Sequence, residues 1–316
     1  MRSAIVVGGA GFTGIALTKS LRKMDYSVYN VIRPGSAHRS RLDESDKELH
    51  IIECALEDLI SLEDGFSVDS RREIQGDGSG LKIPGNIDVM FYISWVPDAG
   101  LRGQYKNVGF LNNALDLASK IGCRRIVITG SQAEYGVVPK DEMTYEDKRP
   151  DPVTDYGAAK VASCYLSRQY AKDLGIEWIW GRIFSLIGKN EPTTRMLPAL
   201  YHSLKEGRDF ELSSCRQNWD YLDVHDAADA LTALAERGKP GEIYNIANGD
   251  YRELRSYTEE LRKIVNPGVK VSYGDDPSPF ISLQPSVGKI YQDTGWKAKR
   301  SFAQSVSDYD AKTLDQ

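Results

Sequence analysis

The chain has 316 residues, of which 41% are hydrophobic and 27% are charged, and its formal net charge is −5. This length allows one large α/β domain with a smaller lobe, and the acidic balance gives no basic footprint for a nucleic acid polymer. No apolar run approaches the roughly 20 residues that span a bilayer, and the N-terminus leads directly into a strand pattern without a signal peptide. The cysteines are far apart, which predicts free thiols and no metal site. We therefore expect a cytoplasmic protein with no membrane partner.

A glycine motif follows the first predicted strand, AIVV at residues 4–7. The stretch GGAGFTG leads into a segment with helical spacing, and strand, glycine turn and helix is the context of a dinucleotide-binding motif. Gly8 permits a tight turn, Gly11 lets the backbone approach a pyrophosphate, and Gly14 allows close helix packing. The motif predicts a cofactor site formed by Gly8, Gly11, Phe12, Thr13 and Gly14.

The second predicted strand, YSVYNVI, ends at Arg33 instead of the acidic residue that usually binds the ribose of NAD. A guanidinium matches a 2′-phosphate in charge and in its forked geometry. Ser36 and Arg39 follow closely, with His38 and Arg41 beside them. The loop predicts NADP(H), with NAD(H) as the alternative; a solvated basic loop is the other interpretation.

Further buried strand patterns alternate with helical segments, which is typical of a doubly wound parallel sheet. We predict an α/β fold with a Rossmann-type sheet in residues 1–185 as the NADP(H)-binding domain. Residues 186–316 are predicted to form a smaller C-terminal substrate-binding lobe, with 242–247 returning to the main sheet. The glycine-rich, polar stretch 64–87 is predicted to be an exposed insertion. The strand patterns cover 49–53, 88–93, 124–129 and 177–184, and the helical segments cover 103–121 and 155–174.

The stretch TDYGAAK (154–160) places Tyr156 four residues before Lys160. On a helix these positions share one face, and a cation beside a phenol favours the phenolate. A tyrosine with a lowered pKa serves as a proton donor or acceptor near neutral pH. The same spacing also occurs by chance on many surface helices, so the rest of the chain must decide.

With Gly8, Tyr156 and Lys160 in this order, the chain resembles the extended short-chain dehydrogenases/reductases, in their nucleotide-sugar epimerase/dehydratase/ketoreductase branch. Further stretches with the same likeness are TGSQAEYG (129–136), NVGFLNNALDLA, WDYLDVHDAADAL (219–231), GEIYNIANG (241–249) and GWKAKRSFAQSVSDY. The resemblance implies that Tyr156 is the general acid/base and that Lys160 lowers its pKa and holds the nicotinamide ribose. It implies that Ser131 hydrogen-bonds the reacting oxygen and that Asn107 supports Lys160. A homodimer formed by helices 103–121 and 155–174 is also implied.

The resemblance leaves three reactions to compare. Dehydratases of this branch carry an Asp-Glu pair after the catalytic hydroxyl residue, whereas this chain has Gln132 and Ala133. A 4-epimerase holds NAD tightly, while a ketoreductase consumes reduced cofactor, so Arg33 favours an NADPH-dependent reductase of a nucleotide-linked 4-keto-6-deoxyhexose. The 4-epimerase is the alternative. A non-catalytic NADP(H)-binding sensor is the second alternative, which the retained Tyr156, Lys160 and Ser131 disfavour.

The predicted substrate is a nucleotide-diphosphate sugar, but two residues depart from the familiar members of the branch. Ser185 replaces an asparagine and Trp219 replaces an arginine that contact the phosphates in those members. Arg195 and Arg216 are candidates to supply the missing charge. Two more residues, Ser94 and Trp95, follow the fourth strand at the ligand-binding edge of the sheet. We expect Ser94 to contact the cofactor, and Trp95 to stack on a ligand or pack as a core aromatic.

Overall fold

The computed structural model describes residues 2–64, 83–96 and 100–309. Its main sheet contains β1 (Arg2–Val7), β2 (Tyr26–Ile32), β3 (Leu49–Glu53), β4 (Val89–Tyr92), β5 (Arg125–Ser131), β6 (Glu177–Ile183) and, later in the chain, β11 (Ile243–Ile246). The strands run parallel in the order β11-β6-β5-β4-β1-β2-β3. Chain order reverses between β1 and β4, and ligands of such sheets bind at that point, outside the carboxyl ends of the strands.

Helices cover both faces of this sheet. Those of the described residues are α1 (Phe12–Lys23), α2 (Gly100–Lys120), α3 (Asp155–Asp173), α4 (Met196–Lys205), α5 (Val224–Arg237), α6 (Leu254–Val265), α7 (Gly288–Thr294) and α8 (Phe302–Ser307). One apolar core joins the sheet to α1, α5 and α7, and a second joins it to α2 and α3. β2 is buried along its whole length, so its mainly apolar sequence agrees with a central strand covered on both faces.

A smaller unit contains the remaining strands, β7 (Ser185–Ile187), β8 (Phe210–Leu212), β9 (Asn218–Trp219), β10 (Tyr221–Asp223), β12 (Arg252–Glu253) and β13 (Val271–Tyr273). They form three two-stranded pairs, and α4, α6 and α8 share an apolar core with them. α5 and α7 instead pack on the main sheet, and β11 pairs with β6 as its edge strand. The C-terminal third therefore contributes both to the main sheet unit and to the smaller unit. The sequence had predicted that nearly all of 186–316 forms the smaller lobe.

The predicted fold class, a doubly wound α/β sheet with a smaller lobe, is confirmed. The apolar runs that predicted the six sheet strands before residue 185 all correspond to strands, with ends that differ by at most two residues. In the lobe, the extended pieces DFEL and NWDYLDV were predicted and correspond to β8, β9 and β10. The pairing of the short strands and the strands β7, β12 and β13 were not predicted, nor were α6 and α7. Most of the predicted insertion 64–87 lies outside the described residues. Within the described part of the chain, every helix is too short or too polar to cross a membrane.

Candidate active site at the carboxyl edge of the sheet

The glycine turn after β1 presses directly against the start of α1. Gly8 has a φ of +102°, and its N–H donates to the carbonyl oxygen of Val31 over 2.9 Å. A Cβ on Gly14 would lie 2.3 Å from the carbonyl oxygen of Gly8, so no side chain fits there. Gly11 caps α1 without a side chain that occupies the helix N-terminus. The free N–H groups at such an end form a site for a phosphate.

The turn opens into a first cavity of about 990 Å³ between β1, β2 and β4. This volume is within the range of cofactor pockets, and the glycine cradle fits a pyrophosphate. The predicted cofactor residues on its wall are Gly8, Gly11, Arg33, Ser36 and Ser94, while Phe12 and Thr13 line the neighbouring cavity. Gly14 contributes through helix packing, as described above.

The loop after β2 separates the predicted basic residues into two groups. Arg33 is exposed on the wall of the first cavity, beside Ser36. Arg39 pairs with Glu44 over 3.0 Å and with Glu53 over 2.8 Å, and it is not among the lining residues of the cavity. Glu53 also accepts a hydrogen bond from the N–H of Gly35. Of the two predicted guanidinium groups, Arg33 is therefore the one that faces the cavity.

Tyr156 and Lys160 lie in the first two turns of α3. Thr154 caps this helix by accepting a hydrogen bond from the N–H of Gly157 over 3.0 Å. A Cβ on Gly157 would come within 2.5 Å of the carbonyl oxygen of Ala133, so the glycine lets α3 approach the turn after β5. The small residues between the tyrosine and the lysine thus bring both functional side chains to the end of the sheet.

Lys160 is 3% exposed, and its ammonium donates to the carbonyl oxygen of Thr129 over 2.7 Å. The same Nζ lies 3.8 Å from the ring centroid of Trp95 and 5.9 Å from that of Tyr156. Burial lowers the pKa of Lys160 to about 7, although the charge of Glu134 acts in the opposite direction. This lysine consequently changes its charge near neutral pH.

Tyr156 stands edge-on to Trp95, with ring centroids 5.7 Å apart, and lies beside the side chain of Ser131. Burial raises the pKa of its phenol, while the neighbouring Ser131 lowers it. The structure thus differs from the expectation that Lys160 lowers this pKa. The reason is that the effect of burial is the largest and that the ammonium is directed to Thr129.

A buried ion pair behind Ser131 was not predicted from the sequence. The carboxylate of Glu134 is fully buried and accepts hydrogen bonds from the backbone N–H of Ser131 over 2.8 Å and from Trp180 Nε1 over 3.0 Å. Arg182 Nε donates to the other oxygen over 2.7 Å. Because its donors come from β5 and β6, this single carboxylate joins the ends of two strands at Ser131.

Asn107 does not reach Lys160 in this structure. Its side chain exchanges two hydrogen bonds with the backbone of Val96, of 2.9 and 3.0 Å. Gln104, one turn earlier on α2, accepts a hydrogen bond from Trp95 Nε1 over 3.0 Å. These contacts hold the segment after β4 and so fix the indole that covers Lys160. Any support that Asn107 gives to the lysine therefore passes through this segment.

A second cavity of about 510 Å³ lies beside the first, and Trp95 lines both. The predicted catalytic and substrate residues on its wall are Ser131, Tyr156, Lys160, Trp95, Ser185, Arg195 and Trp219. Arg216 is not among its lining residues but forms an exposed ion pair with Asp276. Trp219 is positioned by its neighbour Asp220, whose buried carboxylate accepts the backbone N–H groups of Asn248 and Gly249.

A buried glutamate, Glu191, also lines the second cavity and was not predicted from the sequence. It follows β7 in a stretch, GKNEP, that contains no pattern indicating a buried carboxylate. Its Oε1 lies 3.9 Å from Arg195 Nη1, and Tyr309 donates a hydrogen bond to its other oxygen. The far wall of the cavity thus carries one positive and one negative side chain close together.

Comparison with known proteins agrees with this arrangement. The profile of the NAD dependent epimerase/dehydratase family matches residues 4–71 and 94–247. The chain belongs to this family, which confirms the predicted relation to extended short-chain dehydrogenases/reductases and, at the level of the family, a nicotinamide dinucleotide cofactor.

Individual relatives are distant. A trifunctional UDP-glucose 4,6-dehydratase/UDP-4-keto-6-deoxy-D-glucose 3,5-epimerase/UDP-4-keto-L-rhamnose-reductase of Arabidopsis thaliana is 21% identical over 99% of this chain and 47% of its own length. The chain thus spans about half the length of this relative, and about half that of Arabidopsis proteins named as UDP-arabinose 4-epimerases.

Two solved structures share the fold. UDP-glucose 4-epimerase of Thermotoga maritima is similar with a TM-score of 0.79 and 18% identity, covering 96% of both chains. RMD of Pseudomonas aeruginosa, solved with NADPH, has a TM-score of 0.76 and 20% identity, covering 98% of this chain and 99% of its own.

The burial of Lys160 predicts a pH-dependent cost to stability. In the unfolded chain this lysine stays protonated up to about pH 10.4, whereas the folded protein releases the proton at about pH 7. The buried charge therefore costs most below pH 7, and the cost disappears as the pH rises towards the unfolded value. We expect Lys160→Met to raise the free energy of unfolding by roughly 2 kcal/mol or more near pH 6, and by much less near pH 9.5.

Urea unfolding at these two pH values measures the effect. Lys172→Met, at an exposed position of the same helix, is the matched control and should change stability little at either pH. An equal gain for Lys160→Met at both pH values would contradict the burial of a charged ammonium.

Proposed function

We propose that the chain is an NADPH-dependent reductase of a nucleotide-linked 4-keto-6-deoxyhexose. The observation that carries this proposal is the position of Arg33, exposed on the wall of the first cavity at the end of β2. A carboxylate at this strand end would favour the ribose hydroxyl of NAD, whereas a guanidinium favours a 2′-phosphate. The carboxylate of Glu53 is held by Arg39 and the N–H of Gly35, so it does not compete for Arg33.

The cofactor would lie along the first cavity, with its pyrophosphate at the N-terminus of α1 and its 2′-phosphate at Arg33 and Ser36. Its nicotinamide supplies the hydride that reduces the carbonyl carbon. Trp95 lines both cavities, so its indole would exclude water from the place where the substrate and the nicotinamide meet. Lys160 would hold the nicotinamide ribose after its ammonium leaves Thr129.

The protein's own chemistry in this reaction is the management of one proton. Because burial raises the pKa of Tyr156, its phenol is protonated at neutral pH and can donate to the oxygen at C4. Ser131, beside the phenol, would donate to the same oxygen and polarise the carbonyl. Once its ammonium has left Thr129, Lys160, one turn away on α3, would bring its charge towards the phenolate that forms.

A nucleotide-sugar 4-epimerase is the second candidate. The same tyrosine, lysine and serine would serve it, and several relatives and fold neighbours are named as 4-epimerases. Dehydration is less well supported, because Gln132 lines the second cavity at the position where a dehydratase carries an acid. The two surviving candidates differ in whether reduced cofactor is consumed.

We also propose that the protein forms a homodimer through α2 and α3, which pack against each other. Both helices carry exposed large side chains, namely Leu101, Tyr105, Tyr165 and Leu166, each more than half exposed. An apolar surface on two adjacent helices is typical of an interface between subunits.

Replacement of Arg33 tests the cofactor preference. We expect Arg33→Gln to weaken NADPH binding about tenfold or more and to leave NADH binding nearly unchanged, because only NADPH carries the 2′-phosphate. Arg39→Gln is the matched control and should change neither affinity by more than about threefold, since Arg39 is engaged by Glu44 and Glu53. Fluorescence titrations measure both affinities. Equal losses of affinity for NADPH and NADH in Arg33→Gln would contradict the assignment of Arg33 to the 2′-phosphate.

Replacement of Tyr156 tests its role as the proton donor. We expect Tyr156→Phe to lower the turnover of a 4-keto substrate by about 10²- to 10⁴-fold while cofactor binding survives. Tyr291→Phe, at an exposed position of α7, should retain full turnover. Steady-state kinetics measure the turnover, and cofactor titration measures the binding. Unchanged turnover in Tyr156→Phe would show that another group transfers the proton.

A further inference from the structure

The charges of the second cavity are few. Among the described residues that line it, the positive side chains are Lys160 and Arg195, and the negative one is Glu191. Lys160 donates to Thr129 and lies over the ring of Trp95. A diphosphate in this cavity therefore has Arg195 as the cationic partner that is exposed and not already hydrogen-bonded to the backbone. Ser185 and Trp219, where relatives were expected to carry phosphate ligands, offer it no charge.

Glu191 is placed to compete with such a diphosphate. Its side chain is only 3% exposed, and its Oε1 lies 3.9 Å from Arg195 Nη1. The side chain of Arg195 is 52% exposed, and its guanidinium lies 5.9 Å from the ring centroid of Phe12, which lines the same cavity. The carboxylate is thus fixed in the wall, while the guanidinium has room to turn towards a ligand.

The surroundings of Glu191 leave its charge only partly compensated. The titratable and charged groups that face it among the described residues are Arg195, Tyr309 and Tyr221, from α4, the segment after α8, and β10. The backbone N–H of Glu191 donates to the carbonyl oxygen of Gly188 over 3.2 Å. Burial raises the pKa of Glu191 to about 7, although the hydrogen bond from Tyr309 and the charge of Arg195 lower it.

We propose that Glu191 makes substrate binding depend on a proton: a nucleotide-sugar diphosphate binds Arg195 when Glu191 is neutral, and binding takes up one proton. This inference rests on the proposed nucleotide-sugar substrate. When Glu191 is ionised, it attracts Arg195 and repels the two phosphate charges. When it takes a proton from solvent, it keeps its hydrogen bond with Tyr309 and releases the guanidinium to the ligand.

The sign of the pH effect follows from linkage. A bound dianion disfavours the ionised carboxylate, so the pKa of Glu191 is higher in the complex than in the free protein. Binding then takes up protons at pH values between the two pKa values. The affinity is greatest below about pH 7 and falls up to tenfold for each pH unit above it, until the pKa of the complex is reached.

Calorimetric titration of the purified protein measures this linkage directly. The probes are UDP-glucose, dTDP-glucose and GDP-mannose, each titrated between about pH 6 and about pH 9 in buffers of different ionisation enthalpy. Intact nucleotide sugars are chosen because their diphosphate diester does not titrate here, whereas a terminal phosphate has a pKa of about 6. We expect uptake of about one proton per ligand near pH 8, and at least about a tenfold loss of affinity between pH 7 and pH 9.

Glu191→Gln keeps the shape of the side chain and removes its charge. We expect this variant to bind at pH 9 more tightly than the unchanged protein does and to take up about one proton less per ligand. Any proton uptake that remains belongs to Lys160, the other group of this cavity that changes its charge near neutral pH. Glu211→Gln, an exposed position on β8, is the control and should retain the pH dependence. Arg195→Gln should weaken binding at every pH, because it removes the phosphate partner.

The outcomes separate this inference from the proposed function. Binding without proton uptake, or a proton uptake and pH dependence that are the same in Glu191→Gln as in the unchanged protein, would overturn the inference alone. Absence of binding to all three probes at every pH, in the unchanged protein and in Glu191→Gln, would overturn it together with the substrate class. Proton-linked binding in a protein that never consumes NADPH would overturn the reductase and leave this inference standing.

Discussion

The ion pair between Glu134 and Arg182 holds the active site to the sheet. Both side chains are buried, and the carboxylate also binds Ser131 and Trp180. A Cβ on Gly130 would meet both Trp180 Nε1 at 2.0 Å and Glu134 Oε1 at 2.4 Å, so the strand end is shaped around this carboxylate. Removing one partner of a buried pair typically costs about 3 to 5 kcal/mol, because the other charge is left uncompensated. The position of Ser131 therefore depends on an interaction that itself touches no ligand.

The same site uses burial to bring charges into the range of neutral pH. Lys160 and Glu191 both line the second cavity, and burial shifts the pKa of each to about 7. Burial disfavours the protonated form of the lysine and the ionised form of the glutamate. The charge of this cavity therefore changes with pH over one interval near neutrality.

Much of this arrangement is readable from the sequence, because it depends on local patterns. Apolar runs predicted the sheet, the glycine spacing predicted the turn before α1, and the four-residue spacing placed Tyr156 beside Lys160. Contacts between residues that are distant in the chain could not be predicted from the sequence. Glu134 and Arg182 are 48 residues apart, and Glu191 meets Tyr309 across 118 residues. Nothing local marks these residues as buried.

The sequence also could not predict the direction in which these arginine side chains point. Arg33 and Arg39 look equivalent in a basic loop, yet one faces the cavity and the other is engaged by two carboxylates. Arg195 and Arg216 look equivalent in the substrate lobe, yet Arg216 pairs with Asp276 away from the second cavity. Carboxylates elsewhere in the chain bind one arginine of each pair and leave the other to line a cavity. A single sequence does not show which arginine these carboxylates bind.

A reductase consumes reduced cofactor at this site, so the stoichiometry of the reaction decides between reduction and epimerisation. One sample of the purified protein is denatured to identify any bound cofactor, and a native sample is supplied with NADPH and a set of nucleotide-linked 4-keto-6-deoxysugars. We expect an exchangeable NADP(H) and the oxidation of one NADPH for each reduced sugar formed. Tightly held NAD, with a sugar inverted at C4 and no net consumption of cofactor, would contradict this expectation and identify an epimerase.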